Sequence, residues 1–170
     1  MNVTKNLLLA IMCCICSVAH AGGELPDRSM TPGAINEALT PSQYLAQCHT
    51  KGWTRAYRPA VSYTNGLKRI QMARYGYALA DKRDYEEDHL IPLCLGGAPQ
   101  DPRNLWPQPR FGEWDAEKKD RLESKICRLA CDGRVPWRQA QQDMATDWIA
   151  AYHKYMGRYR ASRESNEDGE

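Results

Sequence analysis

Past its first 21 residues the chain contains no CxxC pair and no long apolar run, and it has no internal repeat. The missing CxxC argues against a structural zinc site. The missing repeat excludes solenoid and propeller architectures. Strong charge of one sign is missing too, since the formal net charge is only +2 over 170 residues. Net charge alone therefore says little about a partner. No small-residue box precedes Cys13, Cys14 or Cys16, which argues against a lipoprotein.

What is present at the start is Lys5, then "LLLAIMCCICSVA", then Ala19-His20-Ala21. That is the pattern of a secretory signal peptide over 1–21, too short to serve as a spanning helix. The chain is thus expected to be exported, to the periplasm or the medium, with no membrane insertion after cleavage. Residues 22–170 are one domain's worth of chain, able to bury about two thirds of its unfolded surface. Four cysteines remain: Cys48, Cys94, Cys127 and Cys131. An even number in an exported chain predicts disulfides. Of the three connectivities, Cys48–Cys127 is preferred, because it ties the N-terminal segment to the helical half.

Residues 22–40, punctuated by Gly and Pro, are expected to form an N-terminal arm, and 41–160 the main domain. Thr40 and Pro41 signal a helix start. A second helix is expected after the Asn65-Gly66 turn, with Leu67, Ile70, Met72 and Ala73 for the core. "DHLIPLCLGG" predicts a strand closed by the Gly96-Gly97 turn. "APQDPRN" is a loop that delivers Asn104 and "LWPQP". From about Gly112 the pattern is helical, with Leu122, Ile126 and Leu129 on one face. Pro136 opens a final helix with a stripe of Trp137, Ala140, Met144, Trp148 and Tyr152. Residues 161–170 are expected to be a disordered acidic tail.

The chemistry concentrates in "YEEDHLIPLCLGG". Glu86 and Glu87 fit a solvated charge run, whereas Asp88-His89 beside an apolar segment does not. A histidine near neutral pKa can take a proton from water as it attacks phosphorus. A carboxylate can hold a hard divalent cation on the scissile phosphate. An asparagine can hold the imidazole in the right tautomer. Upstream, residues 51–83 carry eight bases against Asp81 alone, with Tyr57, Tyr63, Tyr75 and Tyr77 interleaved. Such a block suits nucleic-acid phosphates, or else a plain solvated face.

"DHLIPLCLGG", "NLWPQP" and "WDAEKKDRLE", in this order, resemble the HNH endonucleases of the His-Me finger (ββα-metal) group, in particular small bacterial exported members. Through "GWTRAYRPAVSYTNGLKR" and "AQQDMATDWIAAYHKYMG" the likeness covers most of residues 30–157. It implies a mainly helical α+β fold, disulfide-stabilised, with a ββα-metal finger embedded among helices. It implies a metal-dependent endonuclease of low sequence specificity, acting on DNA with RNA as the further substrate. The resemblance makes His89 the general base, Asn104 the residue that orients it, and Asp88 a ligand to a divalent metal, Mg²⁺ first. Typical members place a further His or Asn on the finger helix. No histidine lies between His89 and His153 here. Glu117 is nearest that place, with Glu113, Asp115 and Asp120 as competitors. Arg55, Arg58, Lys68, Arg69, Arg74, Arg103 and Arg110 are the expected phosphate contacts. An immunity or inhibitor protein is not identified by the sequence. The missing ligand leaves a second expectation, a non-catalytic nucleic-acid-binding protein on a decayed HNH scaffold.

Overall fold

In the computed structural model, residues 23–167 are described, with side chains through residue 157. The expected signal peptide lies outside the described residues. The described chain is mainly helical, with five α-helices and a two-stranded antiparallel sheet.

Helix α1 (Pro41–Gln47) begins where Thr40 and Pro41 place it. The Thr40 hydroxyl accepts from the Gln43 backbone N–H, and the Gln43 side chain accepts from the Thr40 N–H at 2.9 Å. This reciprocal cap satisfies two otherwise orphaned donors. Helix α2 (Val61–Arg74) departs from expectation by running straight through Asn65-Gly66. Asn-Gly signals a turn when strands flank it, and here the flanks are helical. Gly66 takes no positive φ. The buried face of α2 is Gln71 and Met72, while Ile70 is 61% exposed. Ala73 is exposed as well.

Strand β1 (Tyr85–His89) pairs with β2 (Leu105–Pro109) in the register Tyr85↔Pro109 to His89↔Leu105. The strand therefore ends at His89 instead of starting at Asp88. Beyond it Pro92 has no N–H for a ladder, and Leu93–Leu95 close a 3₁₀ turn into Gly96. "LWPQP", expected as loop, is strand. Its prolines are tolerated because each strand of a two-stranded ribbon has an unpaired edge.

Helix α3 (Ala116–Cys131) is capped by Asp115, whose carboxylate accepts from the Lys118 N–H at 2.9 Å. Leu122, Ile126 and Leu129 are buried, as their spacing predicts. They share one core with Trp106 of β2 and with Ala140, Met144 and Trp148. The expected last helix is in fact two, α4 (Trp137–Thr146) and α5 (Trp148–Glu167). Asp147 breaks them apart with extended backbone, and its carboxylate accepts from the Ala150 N–H at 2.9 Å. Asp at an N-cap favours such a restart. Helix α5 continues to Glu167, into the segment expected as a tail.

The N-terminal arm is packed rather than loose. Thr31 is fully buried, donating to the Leu105 carbonyl at 3.2 Å and sharing a hydrogen bond with the Tyr75 hydroxyl. Ile35 bridges Gly97.

Two disulfides form, Cys48–Cys131 and Cys94–Cys127, with Cα separations of 5.7 and 5.8 Å. The preferred Cys48–Cys127 pairing is corrected. Cys127 and Cys131 lie one turn apart on α3. The later one meets the end of α1 and the earlier one meets the 3₁₀ turn carrying Cys94. Closing the 83-residue loop between Cys48 and Cys131 contributes about 4–5 kcal/mol in a chain-entropy account. Such bridges match an oxidising compartment. No described helix is long and apolar enough to cross a membrane.

Candidate active site

Alternation along β1 divides its side chains between two faces. Glu86 and Asp88 share one face with their partners Gln108 and Trp106, and Tyr85, Glu87 and His89 share the other. Asp88 and His89 consequently do not converge on one point.

His89 is fixed by the loop that follows it. Its Nε2 lies 2.9 Å from the Pro99 carbonyl oxygen. A carbonyl only accepts, so Nε2 carries the proton and Nδ1 is the basic nitrogen. Burial lowers the His89 pKa below its usual value, opposed by the Pro99 hydrogen bond and by Asp88, with Lys119 and Arg58 adding to the lowering. The imidazole is thus neutral near neutral pH, the state a general base requires.

Asn104 acts on this loop and not on the imidazole. It is fully buried, and its Nδ2 donates to the carbonyls of Ile91 (3.0 Å) and Ala98 (3.2 Å). Its Oδ1 accepts from the N–H of Ile91 at 2.9 Å and of Ala34 at 3.4 Å. The expected direct Asn104–His89 contact is corrected to an indirect one, through the backbone that presents Pro99. Gly97 is required in the same clamp. A Cβ there would lie 1.8 Å from the Ile91 oxygen and 2.7 Å from Asn104 Nδ2.

Asp88 is held by Lys119 of α3, whose ammonium donates to Asp88 Oδ2 at 2.5 Å, to the His89 carbonyl at 2.7 Å and to Glu123. Lys119 is only 1% exposed. Burial alone would pull its pKa down, but Asp88 and Glu123 outweigh this and raise it. Burial pushes the Glu123 carboxyl up to about 7, with Lys119 pulling it down and Asp88 pushing it up. The Lys119–Glu123 spacing of four residues on a helix was the signal in the sequence.

The expected metal pair is not brought together. Glu117 is 77% exposed and pairs with Arg121 at 2.6 Å. Among its competitors, Asp115 caps α3, and Glu113 and Asp120 are exposed. Asp88 already carries the Lys119 ammonium. No group of three acids with converging oxygens occurs among the described residues.

One carboxylate is left over. Glu87, expected to be solvated, buries both carboxyl oxygens without a hydrogen-bond partner. It shares the His89 face, two residues back and about 7 Å along the strand. Burial pushes its pKa up from 4.5 to about 8, with Lys68 pulling it down and Asp88 pushing it up. An orphaned buried acid beside a poised histidine fits one ligand of a hard cation far better than Glu117 does. Its raised pKa also sets a pH dependence. Between pH 4.5 and about 8 the folded chain holds a proton that the unfolded chain has lost. Stability therefore falls as pH rises through that window. Glu87→Gln is expected to flatten the fall and to raise the melting temperature at pH 8 by several degrees. Thermal melts across pH check this, and an unchanged slope would contradict it.

The expected phosphate contacts divide into two sets. Arg55, Arg58, Arg69 and Arg74 are exposed, and Arg58 lies close enough to His89 to lower its pKa. Lys68 is committed elsewhere, donating to the carbonyls of Lys82 and Tyr85. Arg103 pairs with Asp101 at 2.6 Å and Arg110 with Glu86 at 2.8 Å. Surface pairs of this kind are weak and can be exchanged for phosphates.

A search of family models, of curated proteins and of solved structures found no match to this chain.

Proposed function

We propose that the chain is an exported phosphodiester hydrolase of the HNH type, cutting DNA with little sequence preference. The observation that supports it most is His89, neutral and fixed by the Pro99 carbonyl with Nδ1 as its basic nitrogen. Nδ1 takes a proton from water as the water oxygen bonds to phosphorus, and the bond from phosphorus to the leaving oxygen breaks. A divalent cation such as Mg²⁺, when bound, supplies positive charge to the phosphate and the leaving oxygen. Glu87 would hold it. Asn104 and Gly97 keep the Pro99 carbonyl in place, and Lys119 anchors the end of β1 through Asp88 and the His89 carbonyl. Arg58, exposed and near His89, suits the substrate backbone. Hydrolysis of duplex DNA by the purified chain, with Mg²⁺ and with EDTA, tests the reading.

The second reading, nucleic-acid binding without cleavage, draws on one observation: Asp88 is occupied by Lys119. Both readings share the basic face. Lys and Arg gain affinity by releasing counterions, so binding falls with salt in proportion to phosphates contacted. Replacing Arg55, Arg58 and Arg69 by Gln together is expected to weaken binding equally on unrelated duplexes. The salt slope should flatten by up to about three contacts. Fluorescence anisotropy in a His89→Ala background measures this, and an unaltered slope would mean a merely solvated face.

A further inference from the structure

His89 takes its tautomer from the Pro99 carbonyl, 2.9 Å from Nε2. The aim of that carbonyl depends on the peptide planes before and after it, because each residue has only two soft dihedrals. The plane before it is anchored. The Ala98 carbonyl accepts from buried Asn104 at 3.2 Å, and the Ala98 N–H donates to the Ala34 carbonyl at 2.8 Å. The proline ring then locks φ of Pro99. What remains is ψ of Pro99, which is set by where the following planes are held. Gln100 is exposed, and its carbonyl accepts from the Tyr63 hydroxyl of α2 at 2.5 Å. Among the described residues no other hydrogen bond reaches Pro99 or Gln100. The chain is fixed again at Asp101, whose carboxylate accepts from the Arg103 N–H at 2.9 Å. Gln71, about two turns along α2 from Tyr63, donates to the Pro102 carbonyl at 3.0 Å. Helix α2 thus holds this segment at two carbonyls that the Asn104 side chain does not reach.

We propose that Tyr63 is a positioning residue for His89, holding the Pro99 carbonyl against Nε2 through the Gln100 carbonyl. The proposal rests on the reading of His89 as general base. Tyr63 touches no substrate in this role, because its one proton is spent on Gln100. Burial, then Asp101 and Glu87, push the Tyr63 pKa up, so the hydroxyl remains a donor wherever the histidine is a base. Without that donor, ψ of Pro99 is free to turn the carbonyl away, and Nε2–H loses its acceptor. The tautomer with its proton on Nδ1 then gains population, and Nδ1 is no longer basic towards water. The Tyr63 hydrogen bond is open to solvent and adds little to stability. Its effect is on where one carbonyl points. The same helix exposes Arg69 and Arg74, so the element expected to meet phosphates also sets the base.

The test compares the disulfide-bonded chain with its Tyr63→Phe variant, which deletes only the hydroxyl. Long-range proton–nitrogen NMR of the ¹⁵N-labelled imidazoles reads tautomer and titration, and the His89→Ala spectrum assigns the His89 signals by difference. Wild type should show His89 protonated at Nε2. Tyr63→Phe should show the Nδ1-protonated form rising and the His89 pKa falling further, because the Pro99 hydrogen bond is what chiefly holds it up. The melting temperature should barely move. Cleavage of duplex DNA should lose about tenfold in kcat at unchanged KM, within the hundredfold that a small misplacement can cost. Tyr77→Phe removes a hydroxyl that meets only the Gly23 N–H, and it should leave every readout as in wild type. An unchanged His89 tautomer and pKa in Tyr63→Phe would overturn the proposal. So would a raised KM at full kcat, which would mark the hydroxyl as a substrate contact. The NMR readout needs no turnover. A shifted tautomer in a chain whose wild type cuts nothing would therefore sink the hydrolase reading and leave the hold of Tyr63 on His89 standing.

Discussion

His89→Ala is expected to lower the rate of the proposed DNA hydrolysis by a factor on the order of 10²–10⁴, the share a positioned general base contributes. The fold should survive, because the side chain loses a single hydrogen bond, to the Pro99 carbonyl. Single-turnover cleavage of a duplex oligonucleotide reads the rate, and a thermal melt confirms the fold. The wild-type pH profile supplies an independent check. A base works only when unprotonated, and burial lowers the His89 pKa. The acid limb of the rate should consequently fall below the usual imidazole range, with a plateau at neutral pH. The variant should lack that limb. Full activity in His89→Ala would remove the histidine from the chemistry.

Lys119→Met is expected to be the most destabilising single change in the site. The ammonium is 1% exposed and serves two carboxylates and a carbonyl. Removing it leaves the Asp88 and Glu123 carboxyls facing each other with little water and no cation between them, and leaves the His89 carbonyl without its donor. Breaking one partner from a buried pair costs about 3–5 kcal/mol. For a chain of this size that lowers the melting temperature by about 10 °C. The loss should shrink below about pH 7, where the Glu123 carboxyl holds its proton, and grow above it. Adding Glu123→Leu should recover part of it, because one of the two carboxyls buried without a partner is gone. Urea or thermal unfolding of the three variants measures the effect. A loss below about 1 kcal/mol, as for a surface pair, would show that solvent reaches the cluster.

Local chemistry was legible in the sequence wherever one segment decided the outcome. The Thr40-Pro41 start and the Leu122/Ile126/Leu129 face both depend on neighbours within a few residues, and both are present. Gly96-Gly97 announced a turn whose tightness the Ile91 oxygen now explains. What the sequence hid depends on pairing across the chain. Asn65-Gly66 promised a turn that α2 overrode, because helical flanks and an open surface made glycine merely tolerable. Whether Glu87 was solvated depended on which face of β1 it took, and that register is set by β2 some twenty residues later. The role of Lys119 was similarly hidden, since nothing near it in the sequence points to Asp88. Asn104 was assigned to the right loop but the wrong partner, as an amide cannot be aimed from sequence spacing.

The central claim, that the His89 face of β1 hydrolyses phosphodiesters, is tested most directly by one digestion. Supercoiled plasmid is incubated with the purified disulfide-bonded chain, wild type and His89→Ala side by side, with Mg²⁺ and with EDTA. The account predicts nicking and then linearisation by the wild type with Mg²⁺, none with EDTA, and little or none by His89→Ala under either condition. Plasmid left intact by wild type at every Mg²⁺ concentration, while anisotropy still shows binding, would contradict it and establish the non-catalytic reading instead.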